Sequence, residues 1–416
     1  MFQEIQITSV DGRPLEGRLE FSDFSGTGQK QKPVMCRGDG IARVKSTLLN
    51  SKVLLIFYPE GSYWVTSKRG DEFLVAPVIR CEPFDKSLLY WPEHFLTHKI
   101  FEVKKNSSNQ PVKIGVVDSG PYNLKSTKPI LGIDLDGNKV STSIYSDKST
   151  HGTNVASILI KFLEFIGIDF ELTVVDARKS NSERLTLDEI NRAVMLLVKQ
   201  NIPLINISHG CYISEVINSG YDIDAEYDRL ETMLKRAAQY GTVCFCSTGN
   251  DIGKQATIPS YLFRAVGISA LGVAGIYPET SHASSIAAAS IGEGLGVSAC
   301  RRGRAFISVD STFGPGTNIF CPGVGIPVIK PNGSIGIVNG TSYAAPLAVG
   351  CVAVAFAIND RHASLSERDR CRLIYSVLRK ISDIVDTDGD WPKMRIPLLT
   401  KLLKNDNIIS FKGKNE

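Results

Sequence analysis

Between residues 112 and 246, short apolar runs rich in β-branched residues alternate with longer stretches of helical period. This alternation restricts the fold more than any other feature of the chain. Residues 112–117 read as a short buried strand through Val112, Ile114, Val116 and Val117. An apolar helical run follows at 151–160, with Val155, Ala156, Ile158 and Leu159. A strand is expected over 172–175. The helix expected over 185–200 carries Leu187, Ile190, Val194 and Leu197, three or four apart. Strands at 203–208 and 242–246 flank a helix near 227–238. Strands separated by helices pair in parallel, because the chain must cross over to return in the same direction. The expected fold class is therefore α/β, a doubly wound, mostly parallel sheet with helices on both faces.

Composition bounds the function classes. The chain of 416 residues is long enough for two or three domains, and at 43% hydrophobic and 22% charged it is ordinary for a globular protein. A net charge of +4, from 47 basic against 43 acidic residues, gives no reason to expect a nucleic-acid or membrane partner. No apolar run approaches the roughly 18 residues of a spanning helix. Met1-Phe2-Gln3-Glu4 has neither a basic start nor an apolar core, so no signal peptide is expected. The nine cysteines are odd in number and sit mostly in apolar contexts. Reduced, buried thiols in a cytoplasmic protein are the expectation. No Cys/His spacing matches a zinc site, and neither metal nor cofactor is expected.

Open parallel sheets place their chemistry at the carboxyl ends of the strands. Asp118, Ser119 and Gly120 follow the strand at 112–117 directly. His151 and Gly152 stand just before the next helical run. A third stretch, Asn339-Gly340-Thr341-Ser342-Tyr343-Ala344-Ala345-Pro346, ends a loop and opens an apolar helix. A serine at such a junction lies at the positive end of the helix dipole. Gly340 lets the backbone turn, and Pro346 falls in the first helical turns, where a missing N–H costs least. Taken singly, each stretch is an ordinary cap, core or turn. Together they set an aspartate, a histidine and a serine at the ends of three elements, in that order.

Asp118-Ser119-Gly120, His151-Gly152-Thr153-Asn154-Val155-Ala156 and Gly340-Thr341-Ser342-Tyr343-Ala344-Ala345-Pro346 resemble the three signature blocks of the subtilisin-like serine proteases, in that family's chain order. The resemblance implies roles. Ser342 would be the nucleophile and His151 its base. Asp118 would hold the imidazole tautomer and stabilise its cation. Thr248-Gly249-Asn250 resembles the block carrying the oxyanion-hole asparagine, so Asn250 and the Ser342 N–H would be the donors. Ser208-His209-Gly210 matches the segment that lines the substrate, where an extended peptide would add as a strand. Thr248 and Gly249 would line the same cleft. Gly210 would permit close approach, and His209 reads as a pocket-wall or surface residue, not a second base. Residues 181–183 would form the opposite wall, and Asp251 would favour a basic side chain before the scissile bond. Tyr343 departs from the family's usual methionine, which bears on pocket shape. Blocks at 258–260, 310–315 and 321–324 extend the resemblance over roughly residues 111 to 360.

The chain divides into a β-rich N-terminal domain (1–82), a linker (83–110), a subtilisin-like catalytic domain (111–405) and a tail (406–416). In the first, Ile5 and Ile7 alternate with polar residues, and Asp11-Gly12 and Gly38-Asp39-Gly40 are turn signals. Strands are expected at 53–58, at Tyr63-Trp64-Val65 and at 73–79, the last on an edge because of Pro77. An antiparallel β-sandwich-like domain follows, loosely similar around residues 57–64 to transthyretin-like and carboxypeptidase-regulatory sandwiches. With no helix-period segment, it reads as a retained regulatory or interaction domain, with a cleaved propeptide as the alternative. The stretch 271–307, with Arg301, Arg302 and Arg304, is a candidate gate or partner-docking insert. The acidic run 386–390 lacks the glycine and closing glutamate of an EF-hand loop and reads as a solvated turn.

The function expected is a serine endopeptidase acting on extended polypeptides, restrained by its N-terminal domain or by a regulatory protein partner. Two rivals stand beside it. A peptide cyclase or ligase would use the same triad with an amine in place of water. A non-catalytic binding module would use the fold alone, against which the intact Asp118, His151, Ser342 and Asn250 count.

Overall fold

The computed structural model describes residues 1–23, 32–59, 66–81, 110–120, 124–141, 151–178, 185–250, 256–262, 264–271, 318–323, 326–329, 335–338, 340–358, 364–385 and 394–397. Its first seven strands are β1 (Phe2–Ser9), β2 (Gly17–Asp23), β3 (Val34–Cys36), β4 (Ile41–Lys45), β5 (Val53–Pro59), β6 (Thr66–Arg69) and β7 (Val78–Cys81). They form two sheets, ordered β4-β1-β7 and β3-β2-β5-β6. Ile5, Ile7, Leu19, Leu55, Phe57 and Phe73 close one apolar cluster shared by both. Every pair is antiparallel except β1–β7, which is parallel, so the unit is not wholly antiparallel. The strand expected at 73–79 is also different. Residues Gly70–Leu74 turn as a 3-10 helix that buries Phe73, and the strand starts only at Val78. Pro77 has no N–H for a ladder, but its carbonyl accepts from Gln6 at 2.8 Å. The strand expected at 63–65 lies outside the described residues.

The second body is an eight-stranded sheet. In chain order its strands are β8 (Val112–Asp118), β9 (Ile130–Asp134), β10 (Lys139–Val140), β11 (Phe170–Asp176), β12 (Leu204–Ile207), β13 (Val243–Ser247), β14 (Val266–Leu271) and β15 (Ile319–Pro322). The spatial order is β10-β9-β11-β8-β12-β13-β14-β15, parallel except for the β9–β10 hairpin. The helices are α1 (His151–Ile166), α2 (Leu187–Lys199), α3 (Ile213–Asn218), α4 (Ile223–Gln239), α5 (Thr341–Ile358) and α6 (Glu367–Ile381). Two further hairpins pair β16 (Ile326–Ile329) with β17 (Ile335–Val338) and β18 (Ser382–Val385) with β19 (Met394–Pro397).

The strands alternate between two cores, as a period of two requires. Ile114, Val116, Leu172, Val174 and Phe245 face the cluster with α1, α5 and α6. Val117, Val175, Ile205, Ile207 and Cys246 face the cluster with α2 and α4. Helix α2 shows its start in the sequence. Thr186 caps Glu189 N, and the Glu189 carboxylate returns to Thr186 N at 2.7 Å, a complete capping box. Helix α5 is apolar throughout because it is enclosed; residues 344 to 356 on it are buried all round. Among the described residues no helix is long and apolar enough to cross a membrane. Eight cysteines fall within them, all free; burial pushes the Cys244 thiol up to about 12.

Helices α1 and α5, which begin with His151 and Thr341-Ser342, meet where Gly350 faces Phe162. A Cβ on Gly350 would stand 2.5 Å from the Phe162 ring, so the interhelical distance depends on that missing side chain. Gly350→Leu is therefore expected to cost about 1–3 kcal/mol by overpacking. Urea denaturation measures it, and a change under about 0.5 kcal/mol would mean the contact is not tight.

Candidate active site

Asp118 ends the central strand β8 and is fully buried. A carboxylate there needs donors or it does not stay ionised. It has them. Ser119 N donates to its Oδ1 at 2.7 Å, and Ser119 Oγ stands 3.2 Å away. His151 Nδ1 lies 2.9 Å from Oδ1 and 3.1 Å from Oδ2. His209 Nε2 lies 3.0 Å from the same Oδ1. Burial drives the Asp118 carboxyl upward, but the charges and hydrogen bonds of His151 and His209 outweigh it and hold the group well below the usual carboxylate range.

His151 is the first residue of α1. Its approach to Asp118 depends on Gly152. A Cβ at 152 would stand 2.2 Å from the Ser119 carbonyl oxygen, so only glycine lets the first turn seat against the end of β8. Gly152 N donates to Ser119 Oγ at 3.2 Å and pins the junction. Burial lowers the affinity of the His151 imidazole for a proton; the Asp118 charge and hydrogen bond more than offset this and raise it above the ordinary 6.5. The His151 side chain keeps 26% of its surface exposed, enough to meet a ligand. Its ring packs against His209 (centroids 4.8 Å apart) and Tyr343 (5.5 Å). Burial pushes the Tyr343 phenol up, and its hydroxyl shares a hydrogen bond with Asn154.

Ser342 is the second residue of α5. It is tied to the residue after β12 by a reciprocal pair. Ser342 Oγ donates to Ser208 O at 3.0 Å, and Ser208 Oγ donates to Ser342 O at 2.7 Å. Asn206 Nδ2 supports Ser208 Oγ from below at 2.9 Å. Asn250 is locked to the same helix start. Its Oδ1 accepts from Thr341 N at 2.8 Å and from Thr341 Oγ1 at 3.1 Å. Thr341 Oγ1 in turn accepts from Gly249 N at 3.1 Å. With Oδ1 committed, the amide flip is decided and Nδ2 is left on the Gly340 side, 3.0 Å from where a Cβ on Gly340 would be. Gly340 has φ +139, in the region that favours glycine.

Other expected residues take different parts. Thr248 is buried and internally bonded, its N and Oγ1 both to Ile268 O. A Cβ on Gly210 would meet Thr257 Oγ1 at 2.6 Å and Ile258 O at 2.8 Å, so that glycine is closely approached by a side chain and a carbonyl of the chain itself. His209, read as a pocket wall, has its ring on Asp118. Sequence reasoning missed this contact. Its signal is topological: β12 is the parallel neighbour of β8, with Ile207 opposite Val117, so residues just beyond β12 arrive beside Asp118. Residues 181–183, Asp251, the 272–300 and 301–317 stretches and 386–390 lie outside the described residues. Among the described residues Asp118, His151 and His209 are the one cluster with metal-binding side chains. Its separations of 2.9–3.1 Å are hydrogen-bond lengths, and both rings use one shared carboxylate oxygen.

The fold and the site define a class: a doubly wound α/β protein with an Asp-His pair and a helix-start serine at the carboxyl edge of its sheet. The Subtilase family model matches residues 109–379, and the chain belongs to that family. Subtilisin NAT of Bacillus subtilis subsp. natto is 26% identical over 269 residues, 62% of this chain and 59% of that protein. The subtilisin of Bacillus pumilus is 25% identical over 269 residues, covering 62% of this chain and 82% of that one. The chain thus spans less than two thirds of the length of the first of these relatives. A solved structure described as a lanthipeptide protease shares the fold, with a TM-score of 0.55 at 17% identity over 77% of this chain and 94% of its own.

Gly152→Ala tests the seating of α1. The added methyl collides with backbone, so His151 must move off Asp118. Labelling of Ser342 by a fluorophosphonate probe is expected to fall about 100-fold, the scale set by misplacing a reacting group by about 1 Å. Circular dichroism should stay unchanged, and labelling within twofold of wild type would refute the constraint.

Proposed function

We propose that the chain is a serine endopeptidase that hydrolyses peptide bonds in extended polypeptides. The observation that carries this reading is the hydrogen bond of the buried Asp118 to the part-exposed His151 at 2.9 Å, with a serine at the start of α5. His151 takes the proton of Ser342 as the hydroxyl attacks the scissile carbonyl, then returns it to the leaving amine. Asp118 fixes the Nδ1–H tautomer and stabilises the imidazolium. In the resting site Ser342 Oγ is bonded to Ser208 O. Catalysis requires it to turn toward His151 Nε2, a tightening common on substrate binding. The oxyanion meets Asn250 Nδ2 and the Ser342 N–H at the positive end of α5. Water then releases the acyl group by the same proton route in reverse. The substrate lies along Ser208-His209-Gly210 and past Thr248-Gly249 as an added strand.

The test is labelling by a fluorophosphonate. Full-length protein should label; Ser342→Ala should not. Asn250→Ala should label about 10²–10³ times more slowly, the usual loss for one oxyanion donor. Because His151 is a base only when neutral and its proton affinity is raised, the labelling rate should climb with pH through a midpoint above 6.5. No labelling of a folded wild type would sink the reading. Product mass separates hydrolysis from cyclisation or ligation.

The N-terminal sheets are read as a retained, sandwich-like regulatory domain (1–82) that, alone or with a partner protein, restrains the catalytic domain (111–405) in the cytoplasm. Free buried cysteines support that compartment. Removing residues 1–109 should raise the labelling rate at least fivefold; an unchanged rate in a folded product would rule out restraint by this domain.

A further inference from the structure

The triad chemistry uses one imidazole on Asp118, whereas the structure offers two. His209 is part-buried, with 12% of its side chain exposed. Its bonded and ring contacts are Asp118, at 3.0 Å, and His151, at 4.8 Å between centroids. Asp118 is an acceptor only, so the His209 nitrogen facing it is a donor, Nε2–H. The His151 nitrogen facing the same carboxylate is likewise Nδ1–H. Both tautomers are therefore fixed by a single buried carboxylate, and both rings point at Oδ1.

We propose that His209 is a positioning residue for the reaction: by donating Nε2–H to Asp118 Oδ1 it holds the carboxylate in the plane that receives His151 and joins the base to the strand against which the substrate is to pair. This rests on the protease reading above. Three geometric facts support it. Oδ1 is shared, so rotation of the carboxylate away from His209 also takes Oδ1 from His151, whose other contact is Oδ2 at 3.1 Å. His209 follows Ser208, whose carbonyl and hydroxyl are bonded to Ser342. His209 precedes Gly210, which is clamped against Thr257 and Ile258. The segment 208–210 thus touches the nucleophile through its first residue, the aspartate through its second and a fixed wall through its third.

The same contact sets a direction for the base. A donor on Asp118 disperses part of the carboxylate charge, so Asp118 raises the proton affinity of His151 less than it would alone. Removing His209 leaves the aspartate a stronger partner for the imidazolium and a freer rotor. Among the described residues the titratable groups in contact with His209 are Asp118 from β8 and His151 from α1; the Tyr343 ring of α5 packs on His151.

The experiment uses full-length protein and one fluorophosphonate probe, with the limiting inactivation rate and the half-saturating probe concentration measured from pH 5 to 9. His209→Leu keeps the bulk and loses the donor. His209→Gln keeps a donor near the Nε2 position. The expected result for His209→Leu is a limiting rate at least tenfold lower, half-saturation within about twofold, and an acid limb displaced about half a pH unit or more upward, as for loss of a stabilising donor. His209→Gln should recover most of the rate and the wild-type limb. If both variants alter half-saturation alone and leave the limb in place, His209 is a pocket wall and the proposal is overturned. Histidine-selective nitrogen-15 NMR decides independently of labelling. Wild type should show two downfield, slowly exchanging ring N–H protons, and His209→Leu should lose one and shift the other. A single such proton in wild type overturns the bridge. A wild type that shows both protons but never labels retains the bridge and fails the protease reading instead.

Discussion

Everything at this site depends on keeping a negative charge where water does not reach. A buried, unpaired carboxylate costs several kcal/mol even after relaxation. Asp118 is ionised in its fully buried position because donors converge on it from three elements: Ser119 at its own strand end, His151 at the start of α1 and His209 past the end of β12. The charge and the architecture enforce one another. The parallel register that sets Ile207 against Val117 brings His209, two residues on, beside Asp118. A slip of one residue would send that donor to the other face.

Helix starts complete the arrangement. Helices α1 and α5 both begin at the carboxyl edge of the sheet, with their positive ends toward the site. Each is seated by a glycine whose missing side chain is replaced by backbone or amide: Gly152 against Ser119 O, Gly340 against Asn250. The serine is fixed through main-chain atoms of Ser208, not through side chains alone. Such positions are set by the fold itself, and side-chain substitutions at a distance shift them little unless they change a helix–helix spacing, as at Gly350 and Phe162.

The sequence read well where a local period or a short block carried the information. The alternation in 112–117 gave β8, and the spacing of Leu187, Ile190, Val194 and Leu197 gave α2, within a few residues of the bounds found. The resemblance of three blocks named Asp118 and His151, which the structure brings into hydrogen-bond contact, and Ser342, which stands at a helix start bonded to Ser208. It read poorly where the answer depends on strand order. The outer strand β10 of the β9–β10 hairpin has little apolar pattern, because it is a two-residue edge. Phe73 was read into a strand because its apolarity does not reveal a 3-10 turn. The block around Gly210 likewise does not reveal that Thr257 and Ile258, far along the chain, are the residues that exclude a Cβ there. The contact of His209 with Asp118 was missed for the same reason: nothing within the Ser208-His209-Gly210 block states that β12 lies beside β8.

A carboxylate shared by two imidazoles is a weaker partner for each than it would be for one, since every donor it accepts disperses charge the other would have used. What the chain obtains in exchange is geometric. A carboxylate with one imidazole partner can swing about its Cβ–Cγ bond; one held by Ser119 and by two rings on different elements cannot do so without breaking several bonds. Orientation of the base is worth more to an acyl-transfer site than a further increase in its basicity, because a base protonated at working pH does not accept a proton. On this argument His209 trades proton affinity at His151 for a fixed imidazole. Through Asp118 it also joins segment 208–210, the proposed substrate strand, and His151, the proposed base, in one hydrogen-bonded unit.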